Sequence, residues 1–417
     1  MWSEGSRPLR PVLPSLDHLR RLTDDTGLLE HALGRIPRRR EGYTTDDNAR
    51  ALWTVTERYR LLSDTGAFRQ ECDTLLSLAD IYLAFLLWSQ REDGWWHNNV
   101  AYDRTWEDEE RSHDCQGRAV WSCADAWARL PDTRGETAYV MLQKAMPTLG
   151  SIASLRGRAY AMAACAHLLD AAEQGAVALP EGWEGEFRHH LARLEEILAG
   201  AFYDFSEGDW HWFEPAVTYG NGIMPWAMLR AFRVTRSPET LRIGVVSLLF
   251  LQRVMTGEDG TFRPVGNAGW CTRERVSQWD QQPLEMFKLA LAFEEAALAL
   301  ETAGTGRDGG VSEPAAVDSS AGLTRPAGAG GPLSGAAANL HDAAAGAIPE
   351  PAEFRRRRNR CLDWFYGAND HRAMMANPLD GSCCDGLQAE GPNLNCGAEA
   401  TLSYLMTATL CAKGGAD

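Results

Sequence analysis

The chain has 417 residues, a formal charge of −16 and 45% apolar residues, with a pI near 5.1. That composition suits a globular protein with a large core. Its acidity excludes a nucleic-acid partner, because phosphates need a basic surface to neutralise them.

The one basic run, Arg355 to Arg358 with Arg360, opens a helical stretch and reads as a solvated face. The first residues, Met1-Trp-Ser-Glu-Gly-Ser6, lack the apolar centre of a secretory signal, and no run of about 18 apolar residues is seen that would cross a membrane. The ten cysteines follow no framework spacing. The expectation is a cytoplasmic protein with reduced thiols and no membrane partner.

In chain order, a helical stretch at about 14–34 comes first. Then six polar motifs each run straight into an apolar stretch rich in Ala, Leu, Met and Trp. They are Thr45 to Trp53, Asp114 to Trp121, Ser154 to Met162, Tyr219 to Met228, Asp280 to Phe287 and Asn395 to Leu402. Between them lie charged, amphipathic stretches at roughly 70–90, 135–149, 185–202, 237–255 and 353–367. Helices apolar on most sides must be buried, and amphipathic ones can surround them. The simplest closed solution is an all-α (α/α)6 toroid, six inner helices ringed by six outer ones, forming one domain over 1–417. Residues 302–352 are rich in Ala, Gly, Pro and Ser, without aromatics or period, and read as a disordered insertion.

The connections into the inner helices are long, and four carry an acid–Gly turn: Asp93-Gly94, Glu207-Gly208, Asp259-Gly260 and Asp380-Gly381. The reverse connections, such as Asp132 to Glu136, are short. All long loops therefore fall on one pole, where a site would be built.

Inner-helix starts bring acids to that pole. Asp46 and Asp47 are adjacent, followed by Asn48 and Arg50. Helix capping by Thr45 or Asp46, with Asp47 in the first turn, explains one acid of the pair but not both. Asp114, with Arg118 one turn on, and Asp280, beside Gln281, repeat the arrangement. Glu399 lies one turn inside the last inner helix, where an unpaired carboxylate would be costly. Paired carboxylates of differing polarity are what glycosidic cleavage requires.

Loop tryptophans add a second signal. Trp95, Trp96, Trp106, Trp210, Trp212, Trp270 and Trp279 are interleaved with His97, Asn98, Arg104, His211, Glu214 and Asn267, a mixture suited to stacking and hydrogen bonding a sugar. Cys383, Cys384 and Cys396 have no spacing that indicates a metal. Phosphate-binding glycine motifs and the GxSxG elbow are not found, and no cofactor is expected.

At these motifs the chain resembles a bacterial family of six-hairpin glycosidase-like domains, which occur alone or fused behind family-4 glycosyltransferases. The matching segments are Leu22 to Gly27, Gly42 to Arg50, Tyr102 to Arg104, Asp114 to Trp121, Trp212 to Glu214, Phe262 to Asn267, Asp280 to Pro283 and Asn393 to Glu399. The resemblance implies an (α/α)6 fold and a carbohydrate context, with a glycosyltransferase as the partner it suggests. The chain departs from the family at Pro215 and Gly220, where acids are usual, and at Cys396 and Ala400.

The reading that follows is a glycoside hydrolase cleaving an oligosaccharide. Asp47 is the expected base and Glu399 the expected acid, with Asp114 and Asp280 placing hydroxyls or replacing one of that pair, and inversion is the preferred outcome. Asp46, Asn48, Arg50, Trp96, Asn98, Arg104, Arg118, Trp212, Glu214, Asn267, Trp270 and Gln281 are the expected substrate-binding residues. Sugar epimerisation through His113 and His211, or glycan binding without catalysis, are the alternatives.

Overall fold

The computed structural model describes residues 13–63, 68–107, 110–305 and 348–413. Six helices form a closed inner ring: α2 (Thr45–Ser63), α4 (His113–Arg129), α6 (Leu155–Glu173), α8 (Ile223–Thr235), α10 (Pro283–Thr305) and α12 (Ala398–Ala412). Each touches the next, and α12 returns to α2. Around them lie α1 (Asp17–Leu22), α3 (Arg69–Ser89), α5 (Thr133–Ala145), α7 (Trp183–Phe205), α9 (Pro238–Val254) and α11 (Pro351–Phe365). The expected (α/α)6 toroid is the observed fold.

The inner helices are buried on nearly every side, α12 from Ala400 to Cys411 without a break, whereas α7 buries only Phe187, Leu191, Leu194, Leu198 and Phe202, one stripe at helical spacing. Two inner helices approach at glycines. A Cβ at Gly117 of α4 would collide with the Gly157 carbonyl of α6, and one at Gly157 would collide with the His113 carbonyl. Gly117→Ala is therefore expected to destabilise the fold by about 1–3 kcal/mol, because backbone cannot retreat as a side chain can. Chemical denaturation measures it, and an unchanged midpoint would disprove this close packing.

Three expectations are corrected. The stretch at 14–34 is not one helix: α1 ends at Leu22, where Asp24 Oδ1 accepts the Thr26 and Gly27 amides in a tight turn. Only the margins of the 302–352 insertion can be compared: Thr302–Thr305 complete α10 and Pro351 opens α11, while 306–347, like the N-terminal hexapeptide, lie outside the described residues. Finally, α3 is long and apolar enough to cross a membrane, although none was expected. In this fold it is an outer helix against α2 and α5.

The acid–Gly turns behave as expected. Gly94, Gly208, Gly260 and Gly381 all have positive φ, a conformation that costs a side chain but not glycine. They fold the loops back as short antiparallel bridges such as Gln90–Trp96, Glu207–Trp210 and Thr256–Phe262. In the middle of the ring, Trp53, Trp121 and Trp226 form an indole layer, with ring centroids 5.4 Å apart for the first pair and 4.7 Å for the second.

Candidate active site

The start of α2 decides how Asp46 and Asp47 are used. The Thr44 hydroxyl accepts the Asp47 amide at 3.1 Å, Asn98 Oδ1 accepts the Asp46 amide at 3.2 Å, and Thr45 turns away to the His97 carbonyl. Capping is thus done by Thr44 and Asn98, not by Thr45 or an aspartate, and both carboxylates are free for other work.

They meet two cations, Arg118 from the neighbouring α4 and Arg50 from α2 itself. Asp46 is ion-paired with Arg118 of α4, and Arg50 Nη2 lies 3.9 Å away. Arg50 Nη1 holds Asp47 at 2.6 Å, while its Nη2 reaches Glu399 of α12 at 2.8 Å. One guanidinium therefore ties the first and last inner helices together at the ring axis. The Asp47 and Arg50 side chains are under 10% exposed, while Glu399 is 35% exposed and faces the opening.

The two aspartates are driven apart in acidity. Burial pushes Asp46 up, but Arg118 and Arg50 outweigh it and hold the carboxyl below its usual value. For Asp47, burial dominates, Arg50 opposes it, and Glu399 and Asp46 add repulsion, so the net shift is upward.

A fourth carboxyl, unforeseen from sequence, joins the group. Glu30 is pushed up to about 7 by burial and by the neighbouring Asp47. Its backbone is pinned on both sides, the amide donating to Gly42 and the carbonyl accepting from Ala398 beside Glu399. Asp385 is also raised, by burial against its bond from the Gly397 amide, with Glu399 contributing. Below them lies Lys288 of α10, 1% exposed, its ammonium 4.9 Å from the Trp53 ring centroid and 5.5 Å from that of Tyr160. Burial, with Arg50 and Arg118 nearby, holds it well below an ordinary lysine. Its nitrogen and the Tyr160 hydroxyl lack hydrogen-bond partners among the described residues.

A second cluster adjoins the first. Asp114 is bonded to Ser154 and, at 2.5 Å, to the Tyr219 hydroxyl. Arg156 grips Glu214 through two bonds of 3.1 and 2.9 Å and stacks 4.4 Å from the Tyr219 ring centroid. Gly220 gives its amide to Glu285, which also takes the Asn221 amide and side chain. A carboxylate is thus present beneath position 220, supplied by α10.

Other expected site residues lie elsewhere. Asp280 is in a left-handed conformation at the same pole but makes no hydrogen bond or ion pair to Asp47, Asp114 or Glu399 among the described residues. Its neighbour Gln281 bonds to Asp370 at 2.7 Å, and Asn267 is held through its backbone to the Asp280 carbonyl. Asn48 is consumed by the backbone of Leu28 and Thr44. Arg104 is exposed and pairs with Asp25 on the outer surface.

Among the loop indoles, Trp95, Trp96, Trp210 and Trp212 are core residues, 0–5% exposed. The Trp96 and Trp210 N–H groups are spent on the Leu86 and Glu214 carbonyls. The back-folded loops tuck these rings under themselves, because a loop over a gap between helices needs its own apolar filling. Trp270 remains half-buried at the pole, 6.4 Å from the Tyr219 ring centroid, and Trp106 is 40% exposed against His97.

No family model matches the chain, and no curated protein does. Solved structures do. The cellobiose 2-epimerase from Bacillus thermoamylovorans superposes with a TM-score of 0.59 at 11% identity, covering 95% of this chain and 96% of that one. An α-1,6-mannanase from Salegentibacter, in an inactive variant bound to α-1,6-mannotetrose, gives 0.54 at 12% identity over 95% and 96%. A family 9 endoglucanase gives 0.51 at 14% identity over 93% of this chain and 74% of that chain. All three share the (α/α)6 toroid of this chain. At such identities the likeness concerns architecture alone.

Proposed function

We propose that the chain is a glycoside hydrolase acting on a cytoplasmic oligosaccharide, with Asp47 as base and Glu30 as acid. The observation that carries this reading is the carboxyl group at the ring axis, whose members are set to different acidities by named neighbours. Glu30 and Asp47 repel each other's charge. Asp47 has Arg50 at 2.6 Å to stabilise its anion, so it gives up its proton first and Glu30 keeps the shared one. A proton on one carboxyl and a charge on the other is the state that cleavage of a glycosidic bond starts from. Glu399, paired with Arg50, positions that guanidinium rather than donating a proton. The mannanase of this fold is described as inactive when two adjacent aspartates are replaced, and Asp46-Asp47 is such a pair, so α-1,6-manno-oligosaccharides are the first substrates to try.

Incubation with α- and β-linked manno- and gluco-oligosaccharides, read by product chromatography, tests the reading. Saturable binding without product would indicate a glycan-binding role instead, such as one beside a glycosyltransferase. Epimerisation ranks lower, because of its expected acid–base pair one ring is tied to a backbone amide and the other is buried away from the opening. His113 accepts the Ala153 amide, and His211 is buried against Phe250.

Glu30→Gln is expected to lower turnover of natural linkages by about 10²–10⁴-fold, while sparing aryl glycosides whose leaving group needs no proton. An equal loss on both substrates would refute the acid role. Stability should move the other way. Below about pH 4.5 the Glu30 proton is held in both folded and unfolded chains. Between there and about 7 the unfolded chain ionises first, which costs the folded state. The variant should therefore match the parent near pH 4 and exceed it above pH 7 in thermal melts.

A further inference from the structure

Tyr219 stands at the carboxylate pole, bonded to Asp114 at the start of α4, and takes no part in the acid–base pair. It is 37% exposed, yet it is fixed at three points. Its hydroxyl donates to Asp114 at 2.5 Å, its carbonyl accepts Arg156 Nε at 2.5 Å, and the Arg156 guanidinium lies 4.4 Å from its ring centroid. Arg156 is anchored in turn by Glu214 and by the Thr218 hydroxyl. Holding an exposed side chain in this way costs rotamer freedom that water would otherwise allow it. The cation covers one face of the ring and leaves the other open.

Trp270 stands beside it, half-buried, with the ring centroids 6.4 Å apart and the planes inclined at 47°. Its φ is 56°, which a bulky side chain adopts only where its surroundings impose it. They do so here. Val217 and Cys271 exchange backbone hydrogen bonds of 2.8 and 3.0 Å, clamping together the segments that carry the two rings. The wall so formed adjoins the acids: Asp114 lies one turn of α4, about 6 Å, before Arg118, the partner of Asp46. A helical turn and a tyrosine side chain thus separate the Tyr219 ring from the cation that holds Asp46.

We infer that Tyr219 and Trp270 form a stacking wall for a sugar unit beyond the two that flank the cleaved bond, so the substrate is an oligosaccharide longer than a disaccharide. The inference rests on the hydrolase reading above and extends it to chain length. A pyranose offers an apolar C–H face to an aromatic ring and hydroxyls to its rim. Both rings are reached by solvent, and Asp114 and Glu214, also partly exposed, supply acceptors at the rim. Because Asp114 and Arg156 fix the Tyr219 rotamer before the sugar arrives, little ordering cost is left for binding.

Calorimetric titration of α-1,6-mannobiose, α-1,6-mannotetraose, cellobiose and cellotetraose into the full Asp47→Asn chain, whose turnover is expected to be lost, tests the proposal. In one series the tetrasaccharide is expected to bind about tenfold or more tighter than its disaccharide. Adding Tyr219→Ala should remove most of that gain and Trp270→Ala part of it, whereas Tyr219→Phe, which keeps the ring, should retain it. Thermal melts verify that the variants fold. A tetrasaccharide that gains nothing over its disaccharide in both series overturns the wall. So does a gain untouched by Tyr219→Ala, or one lost as fully in Tyr219→Phe, which would assign the effect to the hydroxyl and Asp114 instead of the ring. Cleavage by the parent chain is read separately by product chromatography. A length-dependent gain without product would overturn the hydrolase reading and leave the stacking wall standing.

Discussion

Asp47→Asn is expected to abolish most turnover, by about 10²–10⁴-fold, with the fold intact. Its side chain is nearly inaccessible and touches Arg50 at 2.6 Å, and an amide preserves the shape while removing the charge. Arg50 would keep Glu399 at 2.8 Å and Asp46 at 3.9 Å as counter-charges, so no cation is stranded. Two side effects separate a base from a merely structural acid. Burial still raises Glu30, but with Asp47 neutral the repulsion that adds to it disappears, and the alkaline limb set by Glu30 should move to lower pH. Added azide or formate, small enough to take the place of the missing carboxylate, should restore part of the rate. Full turnover in Asp47→Asn, or an unmoved alkaline limb, would sink the pairing of these two groups.

The fold was legible because burial leaves its mark on composition. Inner helices must be apolar all round and outer ones striped, and that alternation survives any amount of loop variation. The exception is instructive: α1 stops after six residues although apolar spacing continues to position 34, because Asp24 spends its oxygen on local amides. Side-chain capping competes with helix, and periodicity does not see it.

The site was legible in part. Asp46, Asp47, Arg50, Arg118 and Glu399 could be singled out because polar residues at the starts of buried helices have few bland explanations. Glu30 could not. It follows two leucines in what reads as an amphipathic helix, where an acid is ordinary, and only the hydrogen bond from Ala398 brings it to α12. Lys288, likewise, is one charge among the apolar residues of α10, and nothing local says that it faces the ring axis. The tryptophans misled for the opposite reason. An indole in a loop is as useful for sealing a gap as for stacking a sugar, and Trp95, Trp96, Trp210 and Trp212 do the former.

Arg50→Met is expected to cost stability as well as activity, on the order of 3–5 kcal/mol, the range found when one member of a buried ion pair is removed. The guanidinium is the sole cation within ion-pair distance of both Asp47 and Glu399 among the described residues. Removing it leaves Asp47 in a nearly dry setting with only like charges beside it. The protein can escape part of this penalty by protonating Asp47, whose carboxyl is already raised. The deficit should therefore be largest at high pH and shrink as pH falls toward the raised value, a slope opposite to ordinary acid unfolding. Asp47→Asn placed in the same chain should recover much of the loss, because the stranded charge is then gone, whereas Asp46→Asn should not, since Asp46 retains Arg118. Denaturant titrations of the two double variants decide between an ion-paired axis and a merely steric role for Arg50. Equal recovery by both, or by neither, would mean that the link from α2 to α12 through this side chain is not electrostatic.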